Sequence, residues 1–204
     1  MKTSIASAIK DFRPGLAPTL VVLVLLPLMV GLGFWQLARG HEKQLLVDSY
    51  AERRVAEPLS SVQLDGMADP AFRRVRLRGQ FDAEHSVLLD NRMRDGKAGV
   101  ELLQPFHDQA SGEWLLLNRG WLPWPDRRTP PVFTTPEQPL NLDAWVYIAP
   151  GETFQLHADP ATTQWPRLLT ALHPAALWAE LGRSGFAYEL RAEPGPGTYD
   201  TTWP

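Results

Sequence analysis

The sequence contains no cysteine. Disulfides, thiolate metal ligands and thiol nucleophiles are therefore excluded, an absence compatible with either side of a bacterial inner membrane. A cationic surplus is missing as well. The formal charge is −3, with +3 on residues 1–40 and −6 on residues 41–204. A mildly acidic globular part lacks the footprint that nucleic-acid binding needs. Catalytic signatures are absent too: there is no Gly-x-Ser-x-Gly, no phosphate-binding glycine loop and no dinucleotide fingerprint. The five histidines, His41, His85, His107, His157 and His173, include no helical i, i+4 pair. Surface or capping roles suit them better than metal ligation, so no metal site and no catalytic residue is assigned. An anchored hydrolase with a site assembled only in three dimensions stays open as a competing class.

What the chain does contain is one long uncharged run. Leu16 to Ala38 gives 23 residues between Arg13 and Arg39. As a helix it spans roughly 34 Å, enough for a hydrocarbon core of roughly 30 Å. Pro27 lies inside it, which a membrane helix tolerates when neighbouring groups satisfy the freed carbonyl. A cleaved signal peptide would be shorter and end at a small-x-small site, which Trp35-Gln36-Leu37-Ala38-Arg39 does not offer. The reading is an uncleaved anchor. Basic residues flank both ends, so orientation rests on the short N-terminus remaining inside. Four segments follow: a cytoplasmic stretch 1–15, a transmembrane helix 16–38, a helical extension 39–57 ended by Pro58, and an extracytoplasmic domain 58–204.

That domain reads as mainly β (α+β). In "FRRVRLRGQF", residues 72–81, Val75, Leu77 and Phe81 alternate with Arg74, Arg76, Arg78 and Gln80, the period of a half-buried strand. "SVLLDNRM" and "GVELLQPF" flank an Asp95-Gly96 hairpin signal. "EWLLLNRGW", "LNLDAWVYIA" and "FAYELRA" are further strands, and "HPAALWAELG" is a short helix with Pro174 at its start and Gly182 past its end. Short strands broken by turns favour a small antiparallel barrel or sandwich. Between two of them runs a loop, Trp121–Pro139, in which two tryptophans meet six prolines.

Three constellations are candidates for binding. The arginine face (Arg74, Arg76, Arg78, with Arg92 and Arg94) suits lipid phosphates, cofactor propionates or an acidic partner; a solvated strand face, or an edge charged against aggregation, is the plainer reading. In "LNRGW", Gly120 permits a bulge that sets Trp121 beside Pro123 and Trp124, either a docking surface or ordinary loop packing. Gln36 at the membrane edge suits a partner helix or interfacial water.

Taken in order, "GFWQLARGHEKQLL", "FRRVRLRGQFD", "LLNRGW" and "WPRLL…AELG…FAYELR" resemble the Surfeit-locus family of cytochrome c oxidase assembly proteins (Shy-like proteins in bacteria). The likeness runs from about Leu20 to Arg191. Its strongest elements are Gly33-x-Trp35-Gln36-x-x-Arg39-x-x-x-Lys43 and Asn118-Arg119-Gly120-Trp121. The resemblance implies a membrane-anchored assembly factor for haem-copper oxidase, not an enzyme. It implies subunit I and other assembly factors as partners beside the lipid bilayer, and haem a as a transient ligand. Its domain would stand on the periplasmic side of a bacterial inner membrane. Trp35, Gln36, Arg39, Arg119, Gly120 and Trp121 are the corresponding contact residues. Relatives continue past the position of Pro204 into a second apolar span with a nearby histidine. No histidine here matches it, so no haem ligand is assigned. The competing class is a tethered binding module for another envelope client.

Overall fold

The computed structural model describes residues 15–149, 159 and 162–203. His157 and the segment 1–14 lie outside the described residues. The chain divides into two units at Ser49–Tyr50.

The first unit carries most of helix α1, Leu16–Val55, which is continuous for 40 residues with Pro27 inside it and no residue buried. It is long and apolar enough to cross a membrane. The anchor and the helical extension are thus one helix. The chain leaves the apolar run without a break because residues 41–55 contain no Gly or Pro and are rich in Glu, Lys, Leu, Ala and Arg, all strong helix formers. The helix stops three residues before Pro58, as a coming proline dictates.

Among its described residues the second unit holds eight strands: β1 (Leu59–Ser60), β2 (Arg74–Phe81), β3 (Val87–Arg94), β4 (Lys97–Asp108), β5 (Trp114–Pro123), β6 (Leu140–Tyr147), β7 (Arg167–Leu169) and β8 (Gly185–Ala192). Five of them, in the order β2-β6-β8-β5-β4, close on themselves through a β2–β4 pairing. The sandwich alternative is thereby set aside in favour of a barrel. Closure depends on Gly79: a Cβ there would lie 1.9 Å from the His107 carbonyl oxygen, so only glycine lets the two backbones meet. β1 runs parallel to β2, β5 parallel to β8, and β7 parallel to β3. The two-residue β1 and three-residue β7 leave too little pattern to be read from sequence.

Alternation sorts the side chains. Val75, Leu77, Phe106, Leu115, Leu117, Leu142, Val146 and Leu190 fill the barrel and are essentially inaccessible. On the outer face Leu89, Leu103 and Leu116 form a second cluster beneath helix α2, Pro174–Leu181, whose Leu177 and Trp178 press onto them. β4 and β5 are therefore covered on both faces. That is why Leu115-Leu116-Leu117 shows no alternation. His173 occupies the N-cap position of α2 but makes no capping bond through its side chain, and Gly182 closes the helix at φ 63°. The Trp178 indole N–H donates to the Phe186 carbonyl at 2.8 Å, which fixes the helix on the sheet.

Candidate functional site: an arginine- and tryptophan-lined cleft

Helix α2 covers only one end of the outer face. At the other end the row of outward side chains is polar and runs across β6, β8, β5, β4 and β3. The register sets Trp145 opposite Arg191, Arg191 beside Asn118, and Glu101 opposite Trp121. Arg92 enters this row because β3 is kinked. The ladder slips between Leu89 and Arg92, and Asn91 has φ 58°, a conformation asparagine tolerates better than most residues. Past the kink, Asp95 and Gly96 both have positive φ, as a two-residue type I′ hairpin requires. The sequence signal at Asp95-Gly96 therefore holds.

The result is a cleft of about 600 Å³ whose lining includes Arg92, Arg94, Arg191, Trp121, Tyr147 and Trp203. Asn118 lies buried behind this lining. The Asn118 amide donates 2.9 Å bonds to both Glu101 Oε2 and Glu189 Oε1. Arg191 Nε donates to Glu189 at 3.2 Å, and its guanidinium carbon lies 3.5 Å from the Tyr147 ring centre and 4.8 Å from that of Trp203. Burial, with Glu101 nearby, pushes the Glu189 carboxyl above the usual range, although Arg191 and Asn118 oppose the shift. Arg94 is committed to Asp200, at 2.7 Å through the carboxylate and 2.9 Å through the carbonyl. Arg94 and the Thr202 bonds lower Asp200 to about 2.

One wall is built from the C-terminal strap, residues 197–203. Tyr199 N–H donates to the Arg119 carbonyl at 2.7 Å and Trp121 N–H to the Asp200 carbonyl at 2.8 Å. The strap fits because Arg119-Gly120 together oppose the single residue Leu102, a bulge of the kind expected at that glycine. Gly120 has φ 115°, and a Cβ on it would sit 2.8 Å from the Asp200 carbonyl oxygen.

The residues singled out in the sequence separate in space. Trp121 reaches the cleft, its indole N–H donating to the Arg92 carbonyl at 2.8 Å. Arg119, two residues earlier, points into the barrel and is 1% exposed. It donates to Gly197 O, Gln104 Oε1 and Thr134 O at 2.7, 2.5 and 2.8 Å, and its guanidinium lies 4.7 Å from the Phe81 ring centre. Desolvation by burial lowers its pKa. Trp124 belongs to another cluster, with Leu88 and Val100, and Arg127 covers its ring. The expected pairing of Trp121 with Trp124 is therefore not formed. Trp35 is exposed on α1, and Arg39 pairs with Glu42 at 3.3 Å; Gln36 is exposed there as well.

The arginine face of β2 is largely spoken for. Arg74 makes a bidentate pair with Glu193 at 2.6 and 2.5 Å, and Arg76 binds Asp143 at 3.2 Å. Arg92 and Arg94 are on β3 and line the cleft instead. A depression of about 760 Å³ beside α2 contains Arg167, but that guanidinium is closed onto Glu180. Among the described residues no group of three or more His, Asp or Glu gathers to hold a metal ion. Sequence reasoning missed Arg191, Glu101, Glu189, Tyr147 and Trp203. One signal was available: in "ELRA" Glu189 and Arg191 alternate with the core residues Leu190 and Ala192, which places both on the outer face.

The described residues thus combine one apolar helix long enough to cross a membrane with a closed barrel that bears a charged, aromatic cleft. The chain belongs to the SURF1 family, whose sequence profile matches residues 23–202. It is 31% identical over 104 residues to a SURF1-like protein of Rickettsia felis, covering 50% of this chain and 45% of that protein. It is 28% identical over 118 residues to Surfeit locus protein 1 of Takifugu rubripes, covering 50% of this chain and 49% of that one. Cytochrome oxidase assembly protein SHY1 of Saccharomyces cerevisiae is 31% identical over 94 residues, 45% of this chain and 24% of that protein. The chain thus spans at most about half the length of these relatives.

Proposed function

We propose that this protein is a non-catalytic assembly factor for cytochrome c oxidase, held by α1 in a bacterial inner membrane with its barrel on the periplasmic side. It contacts haem-copper oxidase subunit I and other assembly factors while subunit I matures, and haem a is a transient ligand. The observation that carries this reading is the family match, which extends from the apolar helix through the strap, together with a relative whose name states oxidase assembly. The geometry is consistent with it. A binding surface on a membrane-held domain needs only modest intrinsic affinity, because confinement raises the effective concentration of its partners. The test is deletion of the gene in its source organism, with haem a content and oxidase activity measured and wild-type protein restored. Loss of both, recovered on complementation, supports the reading. Wild-type values for both refute it, and affinity capture in mild detergent that reproducibly brings down an envelope protein without oxidase subunits favours a different client.

A further inference from the structure

The side chains at the back of the cleft form a chain of charges with two loose ends. Arg92 Nε lies 3.7 Å from Glu101 Oε2, and Arg191 Nε donates to Glu189. Asn118 joins the two carboxylates. Glu189 thus holds Arg191 by its inner nitrogen, whereas Arg92 Nε only approaches Glu101. The terminal nitrogens of Arg92 and Arg191 hydrogen-bond to no other described residue, and Arg92 Nε is itself buried without a hydrogen bond. Arg191 is only 6% exposed and both it and Arg92 line the cleft. The Arg191 guanidinium, buried between aromatic walls, is short of acceptors, and one delivered to it recovers free energy that water at an exposed arginine would already supply; Arg92, whose side chain is 37% exposed, adds a second donor beside it.

The charge balance narrows what can bind. Arg94 is used by Asp200, and Asp95 and Glu101 also line the cleft. One negative charge suits two fork-shaped donors among those acids; a dianion meets more repulsion. The volume is that of a small-molecule site, and Met93, Trp121 and Trp203 supply apolar surface. We propose that this cleft binds a small monocarboxylate carried on an apolar body, its oxygens accepting from the terminal nitrogens of Arg92 and Arg191. The site is independent of the assembly reading, since it rests on this chain's own charges and not on any client.

The test is calorimetric titration of the full chain in phosphatidylcholine nanodiscs with three probes: 2-naphthoate, the neutral 2-naphthamide and inorganic phosphate. Saturable binding of one naphthoate per chain is expected, with the amide and phosphate each weaker by about tenfold or more, the loss that follows from one charge-assisted bond. Arg92→Gln weakens naphthoate binding by about tenfold at unchanged thermal stability. Arg191→Gln does the same, and should that variant not fold, the exposed Arg92 decides the matter alone. Four results overturn the proposal: amide binding as tight as naphthoate, phosphate binding tighter than naphthoate, no effect of Arg92→Gln, or no saturable naphthoate binding up to about 10 mM.

Discussion

Replacing Gly120 tests whether the strap is the element that this glycine exists to admit. Two glycines with positive φ allow a controlled comparison. Gly112, at φ 72°, has nothing within 4 Å of an added Cβ, whereas Gly120, at φ 115°, would place one 2.8 Å from the Asp200 oxygen and 3.1 Å from the Tyr199 carbonyl carbon. Gly112→Ala therefore costs backbone strain alone, about 1–2 kcal/mol for a single left-handed residue. Gly120→Ala lies outside the left-handed well, where strain is about 1–3 kcal/mol. The clash is with backbone, so the strap must move. The bonds at risk are those from Trp121 to Asp200 and from Tyr199 to Arg119, each contributing about 0.5–1.5 kcal/mol net. The expected total for Gly120→Ala is about 2–6 kcal/mol, and Gly120→Val is at least as costly. Guanidinium unfolding of the full chain in nanodiscs, followed by tryptophan emission, measures both variants; hydrogen exchange at the Trp121 amide reports the strap directly. A Gly120→Ala loss within about 0.5 kcal/mol of the Gly112→Ala loss, the scatter of ordinary surface changes, with Trp121 still protected, would refute the steric account.

Three further outcomes are expected. Glu189 has its carboxyl raised in the folded protein, so its ionisation opposes folding: the stability of wild type relative to Glu189→Gln falls as pH rises from the ordinary glutamate value through the folded one. Unfolding curves at a series of pH values check this, and a difference that does not vary with pH contradicts it. Asp108 behaves in the opposite way. Burial alone would raise it, but Ser61, Ser111 and the Arg78 amide hold it below the usual range, so its contribution is present above the ordinary aspartate value and lost as pH falls through the folded one. Asp108→Asn costs about 1–3 kcal/mol at neutral pH, a loss that shrinks in acid. Trp178→Ala removes the anchor of α2 from the sheet and costs about 3–5 kcal/mol, read by the same denaturation.

The parts of this fold that were legible are those where one period dominates. Arg74–Phe81 alternates because one face is barrel core and the other is solvent and ion pairs. The long apolar run followed by strong helix formers could only be a helix. Pro174 and Gly182 bracketed α2 from opposite ends by different chemistry. The closure of the barrel was not legible, because it depends on Gly79 approaching His107, two residues distant in sequence whose contact no local pattern announces. The site suffered from the same cause. "LNRGW" drew attention as one five-residue motif, yet the bulge at Arg119-Gly120 turns its members to different places. Arg119 enters the barrel, Gly120 meets the strap and only Trp121 reaches the cleft. The remaining cleft residues come from β3 and its following turn, β4, β6, β8 and the strap.

One division of labour explains why so polar a row survives on the outside of a well-packed barrel. The same outer face carries Leu89, Leu103 and Leu116 at one end and Glu101, Asn118 and Arg191 at the other, and α2 covers only the first. Had the second end been meant for packing, hydrophobic residues there would have been the more stable choice, since a buried ion network seldom outperforms them. Instead the sequence places two carboxylates behind two arginines and joins them through the Asn118 amide nitrogen. Asn118 sits within a run of leucines, on a strand whose neighbours on the same face are apolar. Its amide oxygen accepts from the Gly120 N–H at 3.1 Å, which links the orientation of the charge row to the bulge that receives the strap. The strap, in turn, brings Trp203 onto Arg191. Cleft geometry and strap seating thus share one residue, Asn118, whose amide nitrogen serves the charge row and whose oxygen serves the bulge.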